Sequence, residues 1–144
     1  MAHPDLQALV DSLLPFAQSL LRKQGDFHPF GAWMNSDGTI RWIAADSGEE
    51  FPDAHTLINM MTEMIERKAV ALEIRAAAIC YDCLTVPPGD SIKTDAIGFN
   101  LERYSGESLS LFVPYVKRGE EPHFGTTFAT AGTTHFFPTS SRPH

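Results

Sequence analysis

The stretch that decides the fold is TDAIGFNLERYSGESLSLFVPYV, residues 94–116. Apolar residues alternate with polar or small ones in both halves, and alternation with a period of two is typical of a β-strand. In the first half the inward residues are Ile97, Phe99 and Leu101, and the outward ones are Gly98, Asn100 and Glu102. The second half, 108–116, repeats the pattern after a turn at 104–107. The stretch therefore predicts two antiparallel strands with one polar or helix-free face.

The other elements follow from the spacing of apolar residues on either side of this pair of strands. The predicted elements are a helix over 4–23, strands over 27–34 and 39–45, a helix over 53–72, strands over 76–86, 94–103 and 108–116, a weaker strand over 123–130 and a short one over 133–137. This order lacks the strand–helix–strand alternation of a parallel sheet. We expect an α+β fold, with two helices packed on one face of a five- or six-stranded, mainly antiparallel sheet, in the order α-β-β-α-β-β-β(-β). A single domain is expected over 1–137, and a flexible tail over 138–144.

Local signals mark the ends of several of these elements. Asp37-Gly38 predicts a tight hairpin turn, Gly25 predicts a left-handed helix cap, and Asp53 predicts an N-cap for the second helix. Pro15 lies inside the first helical pattern, so we expect a bend near Ser12 or two abutting helices.

The order of elements resembles that of the profilin-like and roadblock folds, and this likeness covers most of the chain. A second likeness is carried by His28-Pro29-Phe30-Gly31, by the Asp37-Gly38 turn, and by Lys93-Thr94-Asp95-Ala96-Ile97 leading into Leu101-Glu102. In these strings the chain resembles uncharacterised bacterial proteins of similar length. That resemblance implies a bacterial protein, but it implies no activity.

The charge balance argues against a nucleic-acid partner. The chain carries 18 acidic and 11 basic residues, for a formal charge of −7. An acidic protein repels the phosphate backbone, and the densest basic groups are the pairs Arg22-Lys23 and Lys117-Arg118. Six acidic residues and no Lys or Arg fall between Asp46 and Glu66. This run predicts a solvated face, with an acidic surface for a basic partner as the alternative.

Neither a membrane span nor a targeting segment is expected. No stretch approaches the ~18 consecutive apolar residues of a membrane helix. Asp5 and Asp11 precede the first basic residue, and Pro15 interrupts the apolar run, unlike a signal peptide. We therefore expect a cytoplasmic protein with no membrane partner.

The two cysteines, Cys80 and Cys83, have the C-x-x-C spacing of redox and metal sites. They lie inside a predicted strand, however, where residues three apart point to opposite faces. The chain also has no second cysteine pair to complete a four-ligand zinc site. We expect structural burial, with redox chemistry and metal binding as the alternatives.

Motifs that carry chemistry are absent from the sequence. There is no phosphate-binding glycine loop, no nucleophile elbow and no HExxH, and the six histidines are scattered. We therefore predict no catalytic residue, no metal site and no cofactor. Asp82 and Glu102 are the candidate carboxylates, since a buried acid has a raised pKa and can act as an acid or base. For Asp82 we expect a solvent-exposed face or an ion pair with Arg75 or Arg103, with acid–base chemistry as the alternative.

Two functions remain open. The first is a non-catalytic protein-binding or adaptor module, including a homodimer or an acidic inhibitor of the immunity type, because a sheet edge is a ready surface for pairing. Phe124, Phe128, Phe136 and Phe137 are candidates for an interface or for completing the core. The second is a small-ligand binder or enzyme with a pocket between the second helix and the sheet. That pocket would be lined by Trp33, Trp42, Tyr81 and the methionines, with Asp82 or a histidine as its polar group.

Overall fold

The computed structural model describes residues 3–133 and 135–138. Their elements are α1 (Pro4–Gln24), β1 (Phe30–Asn35), β2 (Ile40–Ile43), α2 (Ala54–Val70), β3 (Ile74–Thr85), β4 (Thr94–Arg103), β5 (Ser108–Arg118), β6 (Glu121–Phe124) and β7 (Phe128–Ala131). The α+β class and the predicted order of elements are confirmed. Apart from Pro138, the predicted tail over 138–144 lies outside the described residues.

The strands form one antiparallel sheet of seven, in the order β2-β1-β3-β4-β5-β6. The seventh strand, β7, also pairs with β5. The weaker strand predicted over 123–130 is therefore two short strands, which pair with successive parts of β5 and raise the count above the expected five or six. No strand is found at 133 or 135–138, the described part of the predicted strand over 133–137.

The two helices lie on opposite faces of the sheet, so the prediction that they share one face is wrong. Below α1, the core contains Ala76, Ala78 and Cys80 of β3. The core below α2 contains Ala77 and Ile79 of the same strand. Neighbouring residues of a strand point to opposite faces, and this run of β3 is apolar throughout. Both of its faces therefore need a covering layer, and each helix supplies one.

The first covering layer is α1. Leu6, Leu9, Leu13 and Leu21 are buried against the sheet, and Gly25 closes the helix in the left-handed conformation that its position predicted. Pro15 lies on the exposed side of α1, and the helix is assigned without interruption from Pro4 to Gln24. Two abutting helices are therefore not formed.

The second layer is completed by residues from the end of the described chain. Phe136 and Phe137 are buried in the core that contains Met61 and Ile65 of α2. The expectation that late phenylalanines complete the core is confirmed for these two residues. Asp53 caps α2 as predicted, since its side chain accepts a hydrogen bond from the Thr56 N–H (3.2 Å).

Candidate functional site

The candidate ligand-binding residues Trp33, Trp42, Asp82 and Glu102 do not come together. Trp33 and Glu102 lie on the face that α2 covers, whereas Trp42 and Asp82 lie on the face that α1 covers. The register explains the separation of the tryptophans, because Trp42 is paired with Ala32, and Ala32 and Trp33 point in opposite directions. The predicted pocket of Trp33, Trp42 and Tyr81 is therefore not assembled.

Trp33 is part of the core rather than of a binding surface. It is 7% exposed and packs in the cluster that contains Met61 and Ile65. The Lys68 ammonium lies 5.7 Å from the centroid of its ring, within the range of a cation–π interaction.

Trp42 belongs to an aromatic cluster on the other face, formed by Phe16, Phe27, Phe30 and Trp42. Its ring stacks on Phe30, with centroids 5.8 Å apart, and its indole N–H donates to Ser12 Oγ (2.9 Å). Trp42 and Phe16 are each 44% exposed. The cluster therefore anchors β2 to α1 and also presents aromatic surface beside the edge of the sheet.

Asp82 is bound by a tyrosine and not by an arginine. The Tyr115 hydroxyl donates to Asp82 Oδ1 (2.7 Å). Burial raises the pKa of the Asp82 carboxyl, and the hydrogen bond from Tyr115 opposes that shift. The expected ion pair with Arg75 or Arg103 is not formed, since both guanidinium groups bind Asp5 instead.

Glu102 is fully buried, so the prediction that it faces outward is wrong. Its Oε1 accepts hydrogen bonds from the backbone N–H groups of Phe136 (2.5 Å) and Phe137 (3.0 Å), and the His135 Nδ1 lies 3.4 Å from Oε2. These hydrogen bonds hold Phe136 and Phe137 in the core below α2. The contact joins residues 34 and 35 positions apart, so the alternation within β4 could not indicate it.

The cysteines are free and lie on opposite faces of β3, as the strand prediction implied. Cys80 is buried below α1. Burial raises the pKa of Cys80 well above its ordinary value and the pKa of Cys83 to about 12. Both side chains are therefore thiols at neutral pH, and a thiol is a weak nucleophile and a weak metal ligand.

An ion-pair network that the sequence did not reveal lies at one end of the sheet. Asp5, in the first turn of α1, binds Arg75 Nη2 through Oδ1 (3.1 Å) and Arg103 Nε through Oδ2 (3.0 Å). Burial raises the pKa of Asp5, but the hydrogen bonds and charges of Arg103 and Arg75 outweigh it and leave the pKa lowered. Arg75 and Arg103 are 70 and 98 residues away from Asp5 in the chain. The sequence therefore showed only that residues of opposite charge were present.

A cavity of about 470 Å³ opens beside this network, between the end of α2 and the sheet. Its polar lining consists of Ser36, Arg75, Arg103 and Tyr104. Its apolar lining consists of Ala69, Leu72, Ile74 and Phe137. The place agrees with the pocket expected between the second helix and the sheet, but none of the residues predicted for that pocket lines it.

The described residues contain neither a group of metal ligands nor a helix that could cross a bilayer. No three His, Cys, Asp or Glu side chains in 3–133 and 135–138 are grouped so as to hold a metal ion. Neither α1 nor α2 combines the length and apolar character that crossing a bilayer requires.

The two tryptophans offer a matched test of the opposite-face arrangement. We expect Trp33→Ala to lower the free energy of unfolding by about 3–5 kcal/mol, as for other buried aromatic residues. Trp42→Ala should cost about 1–2 kcal/mol, because much of its ring is already in water in the folded chain. Urea denaturation measures both losses, and equal losses would contradict the burial described here.

The half-buried Asp82 carboxyl predicts a dependence of stability on pH. Its pKa in the folded chain is raised above the unfolded value near 3.8, so its stabilising contribution is complete below that value and is lost as pH rises through the folded pKa. We expect wild-type stability to fall relative to Asp82→Asn as pH rises from below 3.8 through the raised pKa of the folded chain. Urea denaturation at several pH values measures the difference.

Tyr115→Phe serves as the comparison variant in that series. It keeps the carboxyl but removes the hydrogen bond that lowers its pKa, so the decline should persist and move to higher pH. Parallel pH curves for wild type and Asp82→Asn would contradict the prediction.

Comparison with known proteins gave no match to this chain, whether with family models, curated proteins or solved structures. The resemblances seen in the sequence therefore gain no support from these comparisons. Two features of the fold bear on function: the edge of β2, and the cavity beside Arg75 and Arg103.

Proposed function

We propose that this protein is a non-catalytic protein-binding module that pairs with a second copy of itself through the free edge of β2. The observation that carries the proposal is an open strand edge beside exposed aromatic rings. Within residues 3–133 and 135–138, β2 ends the sheet and has β1 as its one neighbour. The outer backbone groups of such an edge strand are open to pairing with another chain.

The hairpin register shows which backbone groups face outward. The Asn35 N–H donates to Thr39 O (2.8 Å), which makes these two residues a hydrogen-bonded pair. Hydrogen-bonded and non-hydrogen-bonded pairs alternate along an antiparallel ladder, so Arg41 and Ile43 are the next residues that bond to β1. The residues whose N–H and C=O groups point away from β1 are therefore Ile40, Trp42 and Ala44.

β2 has only part of the protection that edge strands usually carry. Short length, charged side chains and prolines commonly prevent edge-to-edge pairing. β2 is four residues long, and the run 40–45, IRWIAA, contains one charge, at Arg41, and no proline. Its isoleucines and tryptophan favour a β-strand, and no proline in this run blocks a second strand from extending the sheet.

A two-fold axis through Trp42 gives a register in which every outward group finds a partner. Trp42 then pairs with its own copy, and Ile40 pairs with Ala44 of the second chain. The two Trp42 rings lie on the same face and meet each other beside Phe16, which places the exposed part of both aromatic clusters in one contact. Cross-strand aromatic pairs of this kind stabilise antiparallel sheets.

Other properties of the chain agree with a binding role. The raised pKa values of Cys80 and Cys83 keep both thiols protonated, which disfavours nucleophilic or redox chemistry. Two free cysteines also suit the reducing cytoplasm that we propose for this chain. The six acidic residues between Asp46 and Glu66 are all exposed, as on a solvated face.

The test is sedimentation equilibrium on the wild-type chain and on three variants. We expect a dimer for wild type, and a dissociation constant raised at least tenfold by Trp42→Glu, since two carboxylates would then face each other. Ala44→Pro should also weaken the dimer, because it removes an outward N–H while leaving the aromatic cluster intact.

Val116→Glu is the matched control. It places a carboxylate on an exposed apolar residue of β5, away from the β2 edge, and should leave the dimer unchanged. A wild-type chain that stays monomeric up to about 1 mM would overturn the proposal. Equal effects of Trp42→Glu and Val116→Glu would overturn the assignment of the dimer contact to β2. A chain that binds a basic protein but does not bind a second copy of itself would also overturn that assignment.

A further inference from the structure

We infer that the cavity between α2 and the sheet binds a small organic carboxylate through the guanidinium groups of Arg75 and Arg103. This inference does not depend on self-association, because it rests on the cavity and on the network beside it. Pockets for small ligands commonly have volumes of about 300–1,000 Å³, with apolar walls and a few converging polar groups. The cavity of about 470 Å³ has both features.

Both arginines keep unused hydrogen-bond donors. A guanidinium has five N–H donors. Arg75 uses three of them, toward Met34 Sδ (3.2 Å), Ser36 O (3.2 Å) and Asp5. Arg103 uses two, toward Asp5 and toward Ser105 Oγ (2.6 Å), and its Nη2 bonds to none of the described residues.

Arg103 is held in place more tightly than a surface arginine. Its side chain is 18% exposed, and its guanidinium carbon lies 4.8 Å from the centroid of the Tyr104 ring. The shared carboxylate of Asp5 fixes Arg103 and Arg75 relative to each other. Ordering the two side chains before a ligand arrives lowers the entropy cost of binding.

The unused guanidinium donors favour an anion with two acceptor oxygens. Arg75 and Arg103 share the carboxylate of Asp5, and the charge of Glu107 also acts on Arg103. Glu107 is bonded to Ser105 and is not among the residues that line the cavity. The two oxygens of a carboxylate match the planar N–H fork of arginine.

The rest of the lining favours a ligand with an apolar body. The apolar wall consists of Ala69 of α2, Leu72 in the turn after α2, Ile74 of β3, and Phe137, whose N–H donates to Glu102. An inorganic anion would leave this wall in contact with water. An aromatic or aliphatic carboxylate would place its charge on Arg75 and Arg103 and its hydrocarbon against the wall.

The test uses benzoate as the probe and benzamide as its neutral counterpart, with binding followed by calorimetry and by NMR titration of the full chain. We expect benzoate to bind at least tenfold more tightly than benzamide and than inorganic phosphate, because a charge-assisted pair is stronger than a neutral hydrogen bond. The backbone signals that shift should be those of residues lining the cavity, such as Ser36 and Tyr104.

Two variants separate the site from general charge effects. Arg103→Lys keeps the charge but loses the fork and should weaken benzoate binding about tenfold. Ala69→Leu fills the apolar side of the cavity without touching the network and should weaken it as well. Arg118→Lys, at an exposed position of β5, is the control and should bind as wild type does.

Three results would overturn the inference. They are equal binding of benzoate and benzamide, tighter binding of phosphate than of benzoate, and binding unchanged by both Arg103→Lys and Ala69→Leu. A chain that lacks residues 139–144 is tested in parallel. Binding of benzoate to that shortened chain alone is a fourth result against the inference, because the full chain would then not bind the ligand.

Discussion

Burial of β3 on both of its faces is the constraint on which the rest of the structure depends. Ala76, Ala77 and Ala78 are all fully buried, although they point alternately to the two sides of the sheet. A strand with apolar residues on both faces cannot leave either face in water, because each buried methylene contributes about 0.8 kcal/mol. The chain therefore needs two covering layers. One is α1, and the other is α2 together with Phe136 and Phe137.

This two-layer arrangement decides where chemistry can occur. Residues that are adjacent in a strand are divided between two separate cores, as Ala32 and Trp33 are. Cys80 and Cys83, three positions apart, likewise lie on opposite faces of β3. Groups that looked close in the sequence therefore stay isolated from each other. Groups that meet do so at the ends and edges of the sheet, where the layers stop. The exposed aromatic rings beside β2 and the cavity beside Arg103 are both in such places.

The network around Asp5 illustrates how the ends of the layers are joined. Asp5 comes from the first turn of α1, Arg75 from β3 and Arg103 from β4. One carboxylate thus connects the first helix to two central strands, beside the cavity that both arginines line. Glu102 has a comparable role on the other face, where it holds Phe136 and Phe137. In both cases hydrogen bonds offset the cost of removing a polar side chain from water.

The sequence alone determined the class of the fold, the order of its elements, the caps at Gly25 and Asp53, and the separation of the two cysteines. These features follow from local rules, since a period of two or of three to four depends on neighbours in the chain. The tertiary structure decided that the helices cover opposite faces, that Glu102 is buried and that Asp5 gathers Arg75 and Arg103. An alternating pattern shows which residues share a face, but it does not show what covers that face. Contacts between residues 34 to 98 positions apart form only when the layers come together, because their free energy depends on a desolvated environment that no single segment creates.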